Sequence, residues 1–182
     1  MVNRYKLKLT NLQQEVLRIL FIKAGMLLNQ RQIANISQVS PPAIMKALPN
    51  LEKENLIRIM QDKETKRWSI ELNRANPKAM QLKRVDNLKQ IYESGLADFM
   101  EKEFAGATII LFGSYSRGDD IINSDMDIAV IGRKEKDVDL TEYEKGLERK
   151  IIINFYDSFK NIHKHLKENL STGIMIIGGI EL

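Results

Sequence analysis

The 182-residue sequence predicts an α+β chain of two folded units: helices closed by a β-hairpin, then a helical connector and an α/β unit with a small mixed sheet. Three observations carry this. Apolar residues fall at helical spacing from Leu12 as far as Leu56, strict alternation replaces it around Ile57 to Leu72, and two apolar runs after Ala107 bracket a polar loop with aspartates. The charge divides too: residues 1–90 hold 17 Lys+Arg against 7 Asp+Glu, a net +10, and residues 91–182 hold 11 against 17, a net −6. A basic half suits a polyanionic partner, and an acidic half suits solvation or metal binding.

At 43% hydrophobic and 29% charged residues the chain can bury a core, which excludes the disordered class. The absence of cysteine excludes disulfides, zinc-thiolate sites and cysteine nucleophiles. The opening "MVNRYKLKLT" lacks the apolar centre of a leader peptide. No apolar run approaches the roughly 18 residues of a membrane span, so a cytoplasmic location without a membrane partner is expected.

Thr10 is a good N-cap for a first helix in which Leu12, Val16, Leu17, Ile19 and Leu20 share a face, ending by Gly25. "NQRQIANISQ" makes a short second helix. Ser40 and Pro41 open a third, in which Pro49 removes a backbone donor and predicts a kink. The alternating stretch "IRIMQDKETKRWSIEL" is a hairpin with Ile57, Ile59, Trp68, Ile70 and Leu72 facing alike, Trp68 as core. Lys63, Lys66 and Arg67 at its tip are placed to meet phosphates. This segment resembles the winged helix-turn-helix regulators. The resemblance implies double-stranded DNA as partner, with Ser40, Pro42, Ala43 and Lys46 of the third helix in the major groove. A purely dimerising role for such a module is the alternative.

Asn76 and Pro77 start the connector. There Met80, Val85, Leu88, Ile91, Tyr92, Leu96, Phe99 and Met100 recur at helical intervals as a stripe to be buried, with a break near Gly95. The stripe can also pair across a homodimer. The boundaries follow as 1–75, 76–105 and 106–182.

"ATIILFG" and "MDIAVIG" are apolar strands. Alternation puts Asp125 and Asp127 on one face, where two carboxylates raise one another's pKa unless a cation lies between them. Hard oxygen ligands of this kind suit Mg²⁺ or Mn²⁺ held jointly with substrate phosphates. Gly113 permits close backbone approach, and Ser114 can donate to phosphate oxygens.

"FGSYSRG" followed by "SDMDIAV" resembles the minimal members of the DNA polymerase beta-type nucleotidyltransferase superfamily. The resemblance implies NTP, with ATP the first candidate, on Gly113, Ser114 and Arg117. It also implies Mg²⁺ on Asp125 and Asp127, with Ser124 tightening the turn before the strand. Members bring a third carboxylate from a later strand, here "KIIINFYD". Alternation turns Asn154 to the site as a further metal ligand, and Asp157 lies beyond the strand end. An asparagine cannot take a proton at neutral pH, which leaves catalysis open.

His163 and His165, two apart on a helix, point about 200° apart and cannot share a metal. "DSFKNIHKHLKENL" reads as one closing amphipathic helix and "GIMIIGG" as a last strand. Met45, Met60, Met80 and Met175 read as core fillers. The function expected is a DNA-binding regulator whose second domain binds NTP and Mg²⁺ and transfers a nucleotidyl group to a hydroxyl. The alternatives are a degenerate nucleotide sensor or dimerisation scaffold, and an antitoxin-like enzyme that modifies a partner toxin protein.

Overall fold

The structure, a computed structural model, describes residues 8–64 and 66–179. Residues 1–7, most of the segment read for a leader, lie outside the described residues. The chain divides into two compact units, Met1–Ala79 and Met80–Leu182.

In the first unit, α1 (Asn11–Ile22), α2 (Gln30–Ile36) and α3 (Pro41–Lys53) precede β1 (Ile57–Gln61) and β2 (Trp68–Leu72), which is the winged-helix order. Thr10 and Asn29 start α1 and α2 with capping boxes closed by Gln13 and Gln32. Ser40 stands at the N-cap of α3 without a capping bond from its hydroxyl. α3 runs through Pro49 to Lys53. Val16, Leu20, Ile33, Ile44, Leu48 and Ile70 are buried together as expected of the apolar faces. Trp68 departs from expectation: it pairs with Gln61 at the outer end of the hairpin and is 40% exposed. Met60 is exposed as well, since it alternates to the face opposite Ile57 and Ile59.

α4 (Pro77–Glu93) crosses the division between the units. In the second unit it is followed by α5 (Leu96–Glu103), β3 (Thr108–Phe112), α6 (Gly113–Arg117), β4 (Met126–Ile131), α7 (Thr141–Leu147) and β5 (Ile151–Tyr156). A short 3-10 turn (Phe159–Asn161), α8 (Lys164–Ser171) and β6 (Ile174–Ile177) complete it. The sheet has the order β5-β4-β3-β6; β4 and β5 run parallel and the other pairs antiparallel, so it is mixed as predicted. One face, with Ile109, Leu111, Ile128 and Val130, packs on Leu96, Met100 and Phe104. The other, with Ile110, Phe112, Ala129 and Ile131, packs on Ile162, Leu166 and Leu170.

Three expectations are corrected. The stripe on α4 is buried only in part: Ile91 points inward as expected, but Val85 is 66% exposed and Tyr92 52%, and the inward places one and two turns before Ile91 are taken by Asn87 and Lys83. The closing helix is split, because Ser158 starts the 3-10 turn and α8 begins only at Lys164. His163 therefore precedes α8 in extended conformation, and its ring lies 5.5 Å from that of His165 instead of across a helix. Met175 is exposed on β6, at the edge of the sheet. Among the described residues no helix is long and apolar enough to cross a membrane.

Candidate functional site

β3 ends at Phe112, and Gly113 turns the chain into α6 with φ +74°, in the left-handed region that glycine adopts without strain. Phe112 pairs with Asp127 on β4, so the two halves of the sequence motif meet side by side. A Cβ at Gly113 would run into the Asp127 carboxylate. Gly113 is thus required twice, by its backbone and by its neighbour. Ser116 is buried and its hydroxyl donates to the Gly113 carbonyl at 2.9 Å, a contact with no signal in the sequence.

Asp125 is exposed immediately before β4, and Asp127, half-buried, is its second residue. Burial first, and the Asp125 charge second, push the Asp127 carboxyl above the usual aspartate range. Burial and then the Asp127 charge likewise push up the phenol of Tyr156, which shares its sheet face. An electrostatic field of this sign favours a cation at the pair.

The Ser114 hydroxyl is half-buried and makes no hydrogen bond among the described residues; the Ser114 carbonyl accepts from the Asp119 amide at 3.0 Å. Arg117 is exposed and its Nε lies 2.9 Å from Asp119 Oδ2, so the guanidinium is held over the turn. Ser124 accepts from the Ile121 amide at 3.0 Å and closes the turn that leads into β4. An open groove of about 500 Å³ beside Asp125 is lined by Ser124, Thr141, Lys145 and Lys150.

The third-carboxylate strand is β5. Parallel pairing puts Ile152 opposite Asp127 and Asn154 opposite Ala129, so Asn154 shares the face but stands two pairs farther along. Asp157 follows β5 at the other end: the Gly132 amide donates to the Tyr156 carbonyl there, five residues beyond Asp127, or roughly 16 Å along the sheet. It lines a separate cavity of about 810 Å³ with Thr108 and Gly132. No shift of register brings it to the pair. Among the described residues no three His, Cys, Asp or Glu side chains form a metal cluster.

Two carboxylates with a glycine and a hydroxyl beside them nevertheless fit a hard divalent ion, which Mg²⁺ sites commonly bind through one or two carboxylates plus phosphate oxygens. In the first unit Ser40, Pro42, Lys46, Lys63, Lys66 and Arg67 are exposed and Ala43 is partly covered.

Beneath the loop lies a cluster that the sequence reading missed. Asp120 is fully buried with Lys83, Asn87 and Arg149 around it. Asp120 reads as one more loop aspartate, and Lys83 lies outside the apolar stripe read on the connector.

Residues 93–174 match the family model described as a nucleotidyltransferase domain. The chain therefore combines a nucleotidyltransferase domain with an N-terminal winged helix. No curated protein matches it. Among solved structures, a mutant of Lactococcus lactis ZitR is similar at 20% identity and TM-score 0.42, covering 56% of this chain and 66% of that one. The adhesin competence repressor AdcR of Streptococcus pyogenes is similar at 20% identity and TM-score 0.43, covering 57% and 72%. S. aureus MepR in complex with DNA is similar at 26% identity and TM-score 0.38, covering 52% and 78%. The winged-helix assignment rests on the order and pairing of this chain's own elements.

Proposed function

We propose that this protein is a DNA-binding regulator whose second domain binds a nucleoside triphosphate together with Mg²⁺ or Mn²⁺, ATP being the first candidate. Residues 1–75 meet DNA, 76–105 connect, and 106–182 hold the nucleotide. The observation that carries the reading is the seating of the Asp127 carboxylate against Gly113, with Asp125 two residues away and its charge adding to burial in raising the Asp127 carboxyl.

Asp125 and Asp127 hold the ion, and Ser114 and Arg117 face the phosphates. When bound, the ion neutralises the carboxylate pair and ties it to phosphate oxygens. Gly113 leaves room for that approach, and Ser124 keeps Asp125 at the mouth of the strand. On β5 neither Ile152 nor Asn154 can accept a proton, so the reading favours nucleotide sensing over nucleotidyl transfer.

On the DNA side, the support is the net charge of +10 in the first 90 residues and the exposure of Lys46, Lys63, Lys66 and Arg67. Ser40, Pro42 and Ala43 complete the face of α3 offered to the major groove.

Calorimetric titration of Mg–ATP into the wild type and into an Asp125→Asn, Asp127→Asn double variant tests the nucleotide site. Metal-dependent binding that disappears in the variant is expected. Equal binding by both, or none by either, refutes the site.

A further inference from the structure

The loop from Gly113 to Asp127 rests on a polar cluster that the proposed nucleotide site does not use. One oxygen of Asp120 accepts from Lys83 Nζ at 2.5 Å and from Asn87 Nδ2 at 2.7 Å; the other accepts from an Arg149 terminal nitrogen at 3.0 Å. Lys83 and Asp120 have no exposed side-chain surface. The cluster reaches α6 directly. Asn87 Nδ2 also donates to the Tyr115 carbonyl at 2.9 Å, and Lys83 Nζ lies 5.9 Å from the centre of the Tyr115 ring. Gly118, with φ +80°, lies so close to α4 that a Cβ there would sit 2.9 Å from the Met80 carbonyl and the Arg84 amide.

One buried carboxylate thus faces two buried cations. Arg149 already compensates Asp120, so Lys83 adds positive charge where an apolar side chain of similar size would be tolerated, because buried ion pairs are often no better than well-packed apolar residues. Burial pulls the Lys83 ammonium below the usual lysine range; Asp120 and, more weakly, Asp86 raise it, and Arg149 lowers it. A costly cation under this loop, against the Tyr115 that follows Ser114, has a physical reason if the loop receives an anion.

We propose that Lys83, held by Asp120 beneath α6, is a positioning residue that supplies a buried positive charge for the polyphosphate of the bound nucleotide. The inference rests on the nucleotide-site reading above. Its electrostatic contribution grows with the number of phosphates. A merely structural prop would affect every ligand of the site alike.

The test is calorimetric titration of Mg–ATP, Mg–ADP, AMP and adenosine into the full-length wild type, Lys83→Met and Lys83→Arg. Lys83→Met leaves Arg149 and Asn87 on Asp120 and is expected to fold. It should lose about ten-fold in affinity for ATP, as one unit charge at about 10 Å across an effective dielectric near 20 implies. The loss should shrink through ADP and AMP and vanish for adenosine, and Lys83→Arg should retain ATP binding. Equal loss for all four ligands, or no loss for ATP, overturns the charge role while leaving the nucleotide site standing. A wild type that binds ATP no better than adenosine overturns both. Should Lys83→Met fail to fold, Lys83→Gln, which keeps a donor to Asp120 without the charge, carries the same expectation.

Discussion

Replacing Gly113 by alanine separates two costs that the structure superimposes at one position. A non-glycine residue at φ +74° carries strain of roughly 1–3 kcal/mol. The new Cβ also collides with the Asp127 carboxylate, which must give way. Gly95 supplies the control, with φ +76° and nothing within 4 Å of its would-be Cβ, so Gly95→Ala reports the backbone strain alone. The expected losses are about 1 kcal/mol for Gly95→Ala and about 2–4 kcal/mol for Gly113→Ala. For a domain of this size they correspond to melting shifts of about 5 °C and about 10–20 °C. The assay is thermal and urea unfolding of both variants, followed by a cycle in which Gly113→Ala is made on Asp127→Ala. With the carboxylate gone, the alanine should cost no more than it does at Gly95, a coupling of about 1–3 kcal/mol. Equal losses at Gly95 and Gly113 with no coupling would refute the claim that the two motifs meet at this contact.

Asp127→Asn should stabilise the metal-free protein at neutral pH. The folded state holds the Asp127 carboxyl above its ordinary pKa, so ionisation costs stability above that folded value, and the gain should fade as pH falls into the usual aspartate range. Melting curves across that range check it, and a gain independent of pH would count against the cause. Asp120→Ala leaves Lys83 and Arg149 buried without their carboxylate and should cost about 3–5 kcal/mol in urea unfolding; a loss below 1 kcal/mol would mean the cluster relaxes into water. Changing Lys63, Lys66 and Arg67 together to alanine should lower the slope of log affinity against log salt by about 2.7 in filter binding to duplex DNA. An unchanged slope would remove the hairpin tip from the DNA interface.

Much of this protein was legible because the signals were local. Thr10 caps α1 through bonds that span three residues, and the spacing of Asp125 and Asp127 keeps the first close enough for its charge to push up the carboxyl of the second. The glycine and serine after the apolar run of β3 and the alternate aspartates at the start of β4 likewise mark the candidate site in the sequence.

Periodicity misled where a distant partner decided which face turned inward. Counting apolar residues on α4 selected Val85 and Tyr92, yet the helix buries Lys83 and Asn87, because Asp120, 37 and 33 residues away, offers them a carboxylate out of water. The same holds for β5: alternation put Asn154 on the correct face, but only the parallel register with β4 set Ile152 against Asp127 and carried Asp157 to the far end. Trp68 belongs to the inward face of its strand by pattern and still emerges, since the core ends before the hairpin does. The sequence by itself determined where most helices and strands fall and that two carboxylates stand two residues apart at the mouth of β4, because those depend on neighbours along the chain. The tertiary structure decided what lies opposite and beneath them, because pairing register and burial depend on residues that only folding brings together.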